Sequence, residues 1–162
     1  MAIEKVKAYF KKFGMENKIQ EFKVSSATVE LAAQALHCEP CRIAKTLSFS
    51  VNEQPILIVA AGDAKIDNSK YKAQFKTKAK MLLPEDTETI IGHKAGGVCP
   101  FAVNENISVY LDESLKRFQT VFPACGSDNS AIELTIPELE QYAQTTAWIN
   151  VCKNWSEKKQ ND

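Results

Sequence analysis

No apolar run in this 162-residue sequence approaches the roughly 18 residues of a membrane span, and the opening MAIEKVKAYFKKFG lacks the apolar core of a secretory signal. A cytoplasmic protein with no membrane partner is the expectation. Charge of one sign is also missing. Twenty Lys and Arg balance twenty Asp and Glu, which excludes a surface basic throughout and leaves room only for a local patch. Five cysteines are an odd number, so reduced thiols are expected rather than a disulfide framework. The sequence has no Walker lysine, dinucleotide-binding glycine fingerprint or HExxH helix, and no clear Ser-His-Asp or Cys-His arrangement. Local motifs therefore give no support to an ordinary hydrolase or kinase.

What is present reads as one domain over residues 1–162, without repeats or a linker. Val6, Tyr9, Phe10 and Phe13 form one face of a first helix that Gly14 stops. A short strand is expected at Gln20–Val24. A helix follows over Thr28–Leu36, capped by Ser25 or Ser26. Residues 41–51 and Pro55–Ala61 read as a strand pair joined at 51–54, the turn type being open. Asp67 or Asn68 caps a helix to Phe75, and Ala79–Leu83 is a short strand. Pro84 opens a helix ending near Ile91. Ile107–Leu111, Gln119–Pro123 and Ala131–Thr135 are further strands. A turn or helix is expected near 113–118, a last helix over Pro137–Thr145, and a frayed tail at SEKKQND. The strands are short and no regular βαβ repeat occurs, which excludes a doubly wound sheet. The fold class is α+β, a mixed, curved sheet flanked by helices.

One residue breaks the pattern. In CRIAKTLSFSV, Ile43, Lys45, Leu47, Phe49 and Val51 share one side of an extended chain. Lys45 thus lies on the apolar face, where a lysine is rare unless something pairs with it or uses it. Cys38-Glu-Pro-Cys41 has the spacing of a redox dithiol, but it follows a helix and precedes a strand, the reverse of the context that activates a thiolate. Zinc would need His37, His93, Cys99 or Cys125 gathered from elsewhere; no metal or cofactor is expected. GHKAGGVCPFAV (92–103) carries Gly96-Gly97 and then Pro100, a loop able to aim amides at a ligand oxygen or simply a tight turn. Cys125-Gly-Ser-Asp-Asn-Ser130 is a second polar turn, either a plain hairpin loop or a wall of the same pocket. Lys65, Lys70, Lys72, Lys76, Lys78 and Lys80 form either a solvated face or a phosphate-facing surface.

RIAKTLSF, GHKAGGVCPF and ACGSDNSAIELTIPEL, in this order and spacing, resemble the YbaK/prolyl-tRNA-synthetase-associated (ProX-like) editing domain family. TVELAAQAL and ILIVAAGDAKIDNSKY extend the match to about residues 20–145. The resemblance implies a bifurcated, barrel-like sheet surrounded by helices. It also implies a trans-acting deacylase that hydrolyses the ester of a mischarged tRNA, with Cys-tRNA(Pro) and Ala-tRNA(Pro) as the cargoes it points to. Lys45 matches the family's pocket lysine. Gly96, Gly97 and Pro100 match the loop bordering the ester carbonyl and terminal adenosine. Ser127, Asp128 and Asn129 lie where many relatives vary a polar residue or a histidine, and this chain has no histidine there. Catalysis would fall to Lys45, Gly96 and Gly97, and substrate binding to Pro100, Ser127, Asp128 and Asn129. Lys70, Lys72, Lys76, Lys78 and Lys80 would track the RNA backbone. Partners would be the mischarged tRNA, tRNA(Pro) among the candidates, and an aminoacyl-tRNA synthetase. Two other readings stay open: a catalytically silent tRNA- or synthetase-binding module of the same fold, and a small-molecule binder using Lys45 for an acidic ligand.

Overall fold

The computed structural model describes residues 2–155; the expected frayed tail at SEKKQND lies outside them. Helix α1 (Ala2–Lys11) buries Ile3, Val6 and Phe10, and Gly14 ends it at φ +69. Strand β1 (Gln20–Glu21) precedes α2 (Val29–Leu36), which is capped by Thr28 through its hydroxyl and the Leu31 N–H. The cap is thus neither Ser25 nor Ser26, and the Ser26 hydroxyl is left free for another partner. Strands β2 (Ile43–Val51) and β3 (Gln54–Ala61) form the central antiparallel pair. After them come β4 (Lys65–Ile66), α3 (Asn68–Phe75), α4 (Thr87–Ile90) and β5 (Ser108–Asp112). A 3-10 turn at Glu113–Arg117 leads to β6 (Thr120–Pro123), β7 (Ser130–Ala131) and β8 (Leu134–Thr135). Helix α5 (Ile136–Tyr142), β9 (Ala147–Ile149) and β10 (Cys152–Lys153) complete the chain. Among the described residues no helix is long and apolar enough to cross a membrane.

The main sheet has the order β8-β6-β2-β3-β5-β9, with β1-β7 and β4-β10 as two-stranded satellites. It is mixed: β2–β3 and β6–β8 are antiparallel, whereas β2–β6, β3–β5 and β5–β9 are parallel. The sheet curls into a half-barrel with helices around it. Strand β3 reads PILIVAA because it is buried on both faces. Leu57, Val59 and Ala61 join α1, α5 and Phe101 in one core, while Ile56, Ile58 and Ala60 join Phe49 and Tyr71 in the other.

The β2–β3 turn is closed by Asn52 and Glu53, both left-handed at φ 49 and 69. A two-residue loop with both φ positive is the type I′ connection, which matches the twist of the strands. Glutamate is a poor residue for this conformation. Glu53→Gly is expected to stabilise the protein by about 0.5–1 kcal/mol, read as a higher urea midpoint with unchanged m-value.

Candidate functional site

Strand β2 has neighbours on one edge along its whole length but not on the other. β3 pairs with it from Ala44 to Val51, whereas β6 meets it only at Ile43 and Ala44. At the far end, Ser50 N donates to Lys80 O at 2.8 Å and Leu82 N donates to Ser48 O at 3.1 Å. The main chain of Thr46 points to the same edge as Ser48 and Ser50, by strand alternation, and it falls between these two neighbours. A cleft of about 290 Å³ opens at this gap. Its walls come from 26–29 at the start of α2, residues 43–48 of β2, the 81–87 segment, the glycine loop at Ala95, Gly96 and Val98, and Ser130–Ala131.

Lys45 reaches the cleft from the face it shares with Ile43 and Phe49, the face expected from the alternation. Its ammonium donates to the carbonyls of Gly62, at 3.4 Å, and Ala64. Burial holds its pKa below the ordinary 10.5, partly offset by the nearby Asp63 carboxylate. Two carbonyls keep the charge in place without neutralising it, so the ammonium retains its attraction for an anion.

The opposite face of β2 brings Thr46 to the same cleft. Its hydroxyl is buried without a hydrogen-bond partner, and so is that of Ser26 across the cleft wall. An unpaired buried hydroxyl costs about 1–3 kcal/mol, a cost that a polar ligand atom removes. Sequence reading offered Ser26 only as a helix cap and gave Thr46 no role; the only signal was Thr46's place beside Lys45.

The glycine loop is tied at its neck and braced inside. Gly92, at φ +106, closes α4, and Asn104 bonds back to Thr89 O and Ile90 O through its side chain and to Ile91 O through its main chain. His93 is fully buried within it. Its Nε2–H donates to Phe101 O at 2.7 Å; because a carbonyl only accepts, that nitrogen carries the proton. Burial pushes the His93 pKa below its usual value, so the ring is neutral and serves as an internal strut. Gly96, at φ +92, is the glycine on the cleft. A Cβ on Gly97 would lie 2.9 Å from three backbone atoms of Ser127, so this glycine lets the 92–103 and 125–130 loops touch main chain to main chain. The Gly97 N–H already donates to Lys94 O at 3.0 Å. Of the expected glycine pair, Gly96 is the one that lines the cleft, and the Gly97 amide is spent within the loop.

The remaining expected residues are placed unequally. Asp128 O accepts from Ser26 N at 2.6 Å, and Asn129 O accepts from Phe22 N at 2.7 Å. Ser127 Oγ bonds Asn129 Oδ1 and Ser130 Oγ. Asp128 and Asn129 fasten the 22–28 segment that walls the cleft and Ser127 braces their turn, while Ser130 and Ala131 reach the cleft directly. Pro100 is buried inside the glycine loop rather than on the cleft wall. Among the lysines, Lys70 Nζ is held by Cys152 O at 2.9 Å, which ties α3 to β10. Lys72, Lys76, Lys78 and Lys80 are exposed, and Lys80 adjoins Met81 at the cleft rim.

All five cysteines are free. Desolvation raises Cys38 and takes Cys41 up to about 11, opposite to the shift an active dithiol needs. Cys99 is pushed to about 12 and Cys125 well above its usual value, so neither supplies a thiolate nucleophile.

A half-barrel whose central-strand lysine and glycine loop both line a cleft at a gap in the sheet has the residue types to hold an ester and an adjoining anion. The sequence profile described as Aminoacyl-tRNA editing domain matches residues 24–142, and the chain belongs to that family. Membership assigns it, in general terms, to hydrolytic editing of mischarged tRNA. It is 54% identical to the uncharacterized protein YwhH of Bacillus subtilis (strain 168), over 96% of this chain and 99% of that one. It is 30% identical to the "Putative Cys-tRNA(Pro)/Cys-tRNA(Cys) deacylase EbsC" of Enterococcus faecalis (strain ATCC 700802 / V583), over 66% of each. A solved structure described as "a putative trans-editing enzyme for prolyl tRNA synthetase" superposes with a TM-score of 0.84 at 25% identity, covering 94% of this chain and 97% of that one.

Proposed function

We propose that the protein is a trans-acting, ProX-like aminoacyl-tRNA deacylase that removes a small wrong amino acid from tRNA(Pro) in the cytoplasm, with Cys-tRNA(Pro) ahead of Ala-tRNA(Pro). The observation that carries this reading is the convergence of Lys45 and Gly96 on the gap beside Thr46. Lys45 holds the phosphate or ribose of the terminal nucleotide. The Gly96 N–H receives the ester carbonyl oxygen as negative charge develops on it. The free ribose hydroxyl next to the ester helps activate the attacking water. With no thiolate available, a direct attack by water is the step these residues serve. Lys72, Lys76, Lys78 and Lys80 lead the RNA backbone toward the rim; Lys70, held by Cys152 O, is left out of that path. A synthetase that releases the mischarged tRNA is the natural protein partner.

Cleft size favours a small side chain, since about 290 Å³ is at the bottom of the roughly 300–1,000 Å³ range of ligand pockets. The hydroxyls of Ser26 and Thr46 order the candidates. A cysteine thiol offers each a weak partner, whereas an alanine methyl leaves both unpaired. A panel of mischarged tRNAs is expected to release cysteine about tenfold faster than alanine. A Ser26→Ala/Thr46→Val variant is expected to narrow that gap. Equal rates in the wild type would remove the cysteine preference. Tight tRNA binding with no release of any amino acid would favour the silent binding module instead.

A further inference from the structure

We propose that Arg117 is a positioning residue for Lys45, acting through a clamp on the turn that supplies the two carbonyls. The inference rests on the reading of Lys45 as the residue that holds the substrate.

The turn begins where β3 ends. Ala64 N donates to Ala61 O at 3.0 Å, leaving Gly62, Asp63 and Ala64 as a tight projection from the sheet. The carbonyls of Gly62 and Ala64 both accept from the Lys45 ammonium, and Asp63 lies between them in sequence. Two carbonyls flanking one residue keep a fixed spacing only if the residue between them is held. Arg117 holds it with both prongs of its guanidinium: Nη1 donates to Asp63 Oδ2 at 2.9 Å and Nη2 to Asp63 Oδ1 at 2.6 Å. Such a paired contact fixes orientation as well as distance.

Arg117 is itself immobilised. Its side chain is only 3% exposed. Its Nε donates to Ser114 O at 2.9 Å, and its guanidinium lies over the rings of Phe118 and Trp155 at 4.7 and 5.1 Å. Ser114 also accepts from Ala61 N through its hydroxyl at 3.1 Å, and Ser114 N donates to the buried Asp112. The 112–117 segment therefore grips the turn both at its start and at its tip. A nearly buried ion pair adds little net stability over an apolar replacement. What this one specifies is the position of the two carbonyls that hold the Lys45 ammonium.

Arg117→Lys tests the clamp because it keeps the charge and loses the fork. The protein is labelled with ¹³C at the lysine ε-carbon, the Lys45 signal is identified by its loss in Lys45→Ala, and its titration midpoint is followed by NMR. Deacylation is measured on the mischarged tRNA that the wild type hydrolyses best. With charge conserved, a movement of the midpoint reports the carbonyls. The midpoint is expected to fall by about half a pH unit or more. The expected kinetic effect is a kcat about tenfold lower with KM within about twofold. An unchanged midpoint and unchanged kcat in folded Arg117→Lys overturn the proposal. Should that variant not fold, Asp63→Glu, which also keeps the charge while displacing the carboxylate, carries the same two readouts. If the wild type releases no amino acid from any tRNA, the deacylase reading fails and the NMR midpoint alone decides the clamp.

Discussion

Replacing Lys45 by alanine is expected to lower deacylation by roughly 10²–10³-fold while the protein stays folded. The loss follows from position. Lys45 is the cation that reaches the cleft from within the sheet, and the low-dielectric surroundings that lower its pKa also strengthen its pull on a phosphate. The effect on stability is small because two terms oppose each other. Alanine relieves the desolvation of a charge, but it leaves Gly62 O and Ala64 O without their donor; the net change is about 1 kcal/mol or less. A pH signature accompanies both effects. With the folded pKa below the ordinary 10.5, the unfolded chain binds more protons between those two values, so wild-type stability rises with pH across that window. The rise is absent in Lys45→Ala. Activity moves the other way: once uncatalysed hydrolysis is subtracted, it falls as pH climbs through the lowered pKa, earlier than an exposed lysine would allow. A folded Lys45→Ala protein with wild-type deacylation would remove Lys45 from the mechanism.

Gly62→Ala is expected to destabilise the protein by about 2–3 kcal/mol and to remove most deacylation as well. Backbone strain plays no part, because Gly62 is absent from the positive-φ residues. The cause is contact: a Cβ there would overlap the carbonyl oxygen of Pro40 and come 2.8 Å from Val29 Cγ1. Pro40 belongs to the turn leading into β2, and Val29 opens α2 on the cleft wall. Making room for one methyl group must therefore part the end of β3 from both. Gly62 O, one of the two carbonyls that hold Lys45, moves with it. Urea unfolding reads the first effect and single-turnover deacylation the second. A wild-type midpoint would show that the junction yields without cost.

Much of this was legible because local periodicity carries it. The alternation from Ile43 to Val51 placed Lys45 on the apolar face, and Pro55–Ala61 read as the partner of that strand, as it is. What escaped was decided by long-range pairing. The gap at Thr46 exists because β6 leaves β2 after Ala44 and the 80–82 segment joins it only near Phe49, and neither fact is written in the residues around Thr46. Ala131–Thr135, expected as one strand, splits into β7 and β8, which belong to different sheets. Strands β4, β9 and β10, of two or three residues each, are defined by their partners rather than by pattern. Lys70 looked like its neighbours in sequence, but its carbonyl partner comes from 82 residues away. Arg117, in a run ESLKRF that read only as a turn or helix, has its role only because Asp63 folds against it.

The most direct test of the account is where a stable substrate analogue binds. An adenosine carrying cysteine through a 3′-amide in place of the ester cannot be hydrolysed, and its contacts can be mapped by amide and side-chain NMR. The account predicts perturbations at Ser26, Lys45, Thr46 and Gly96, with weakened binding in Lys45→Ala. Binding that leaves those four signals unmoved, or that is indifferent to Lys45, would contradict it.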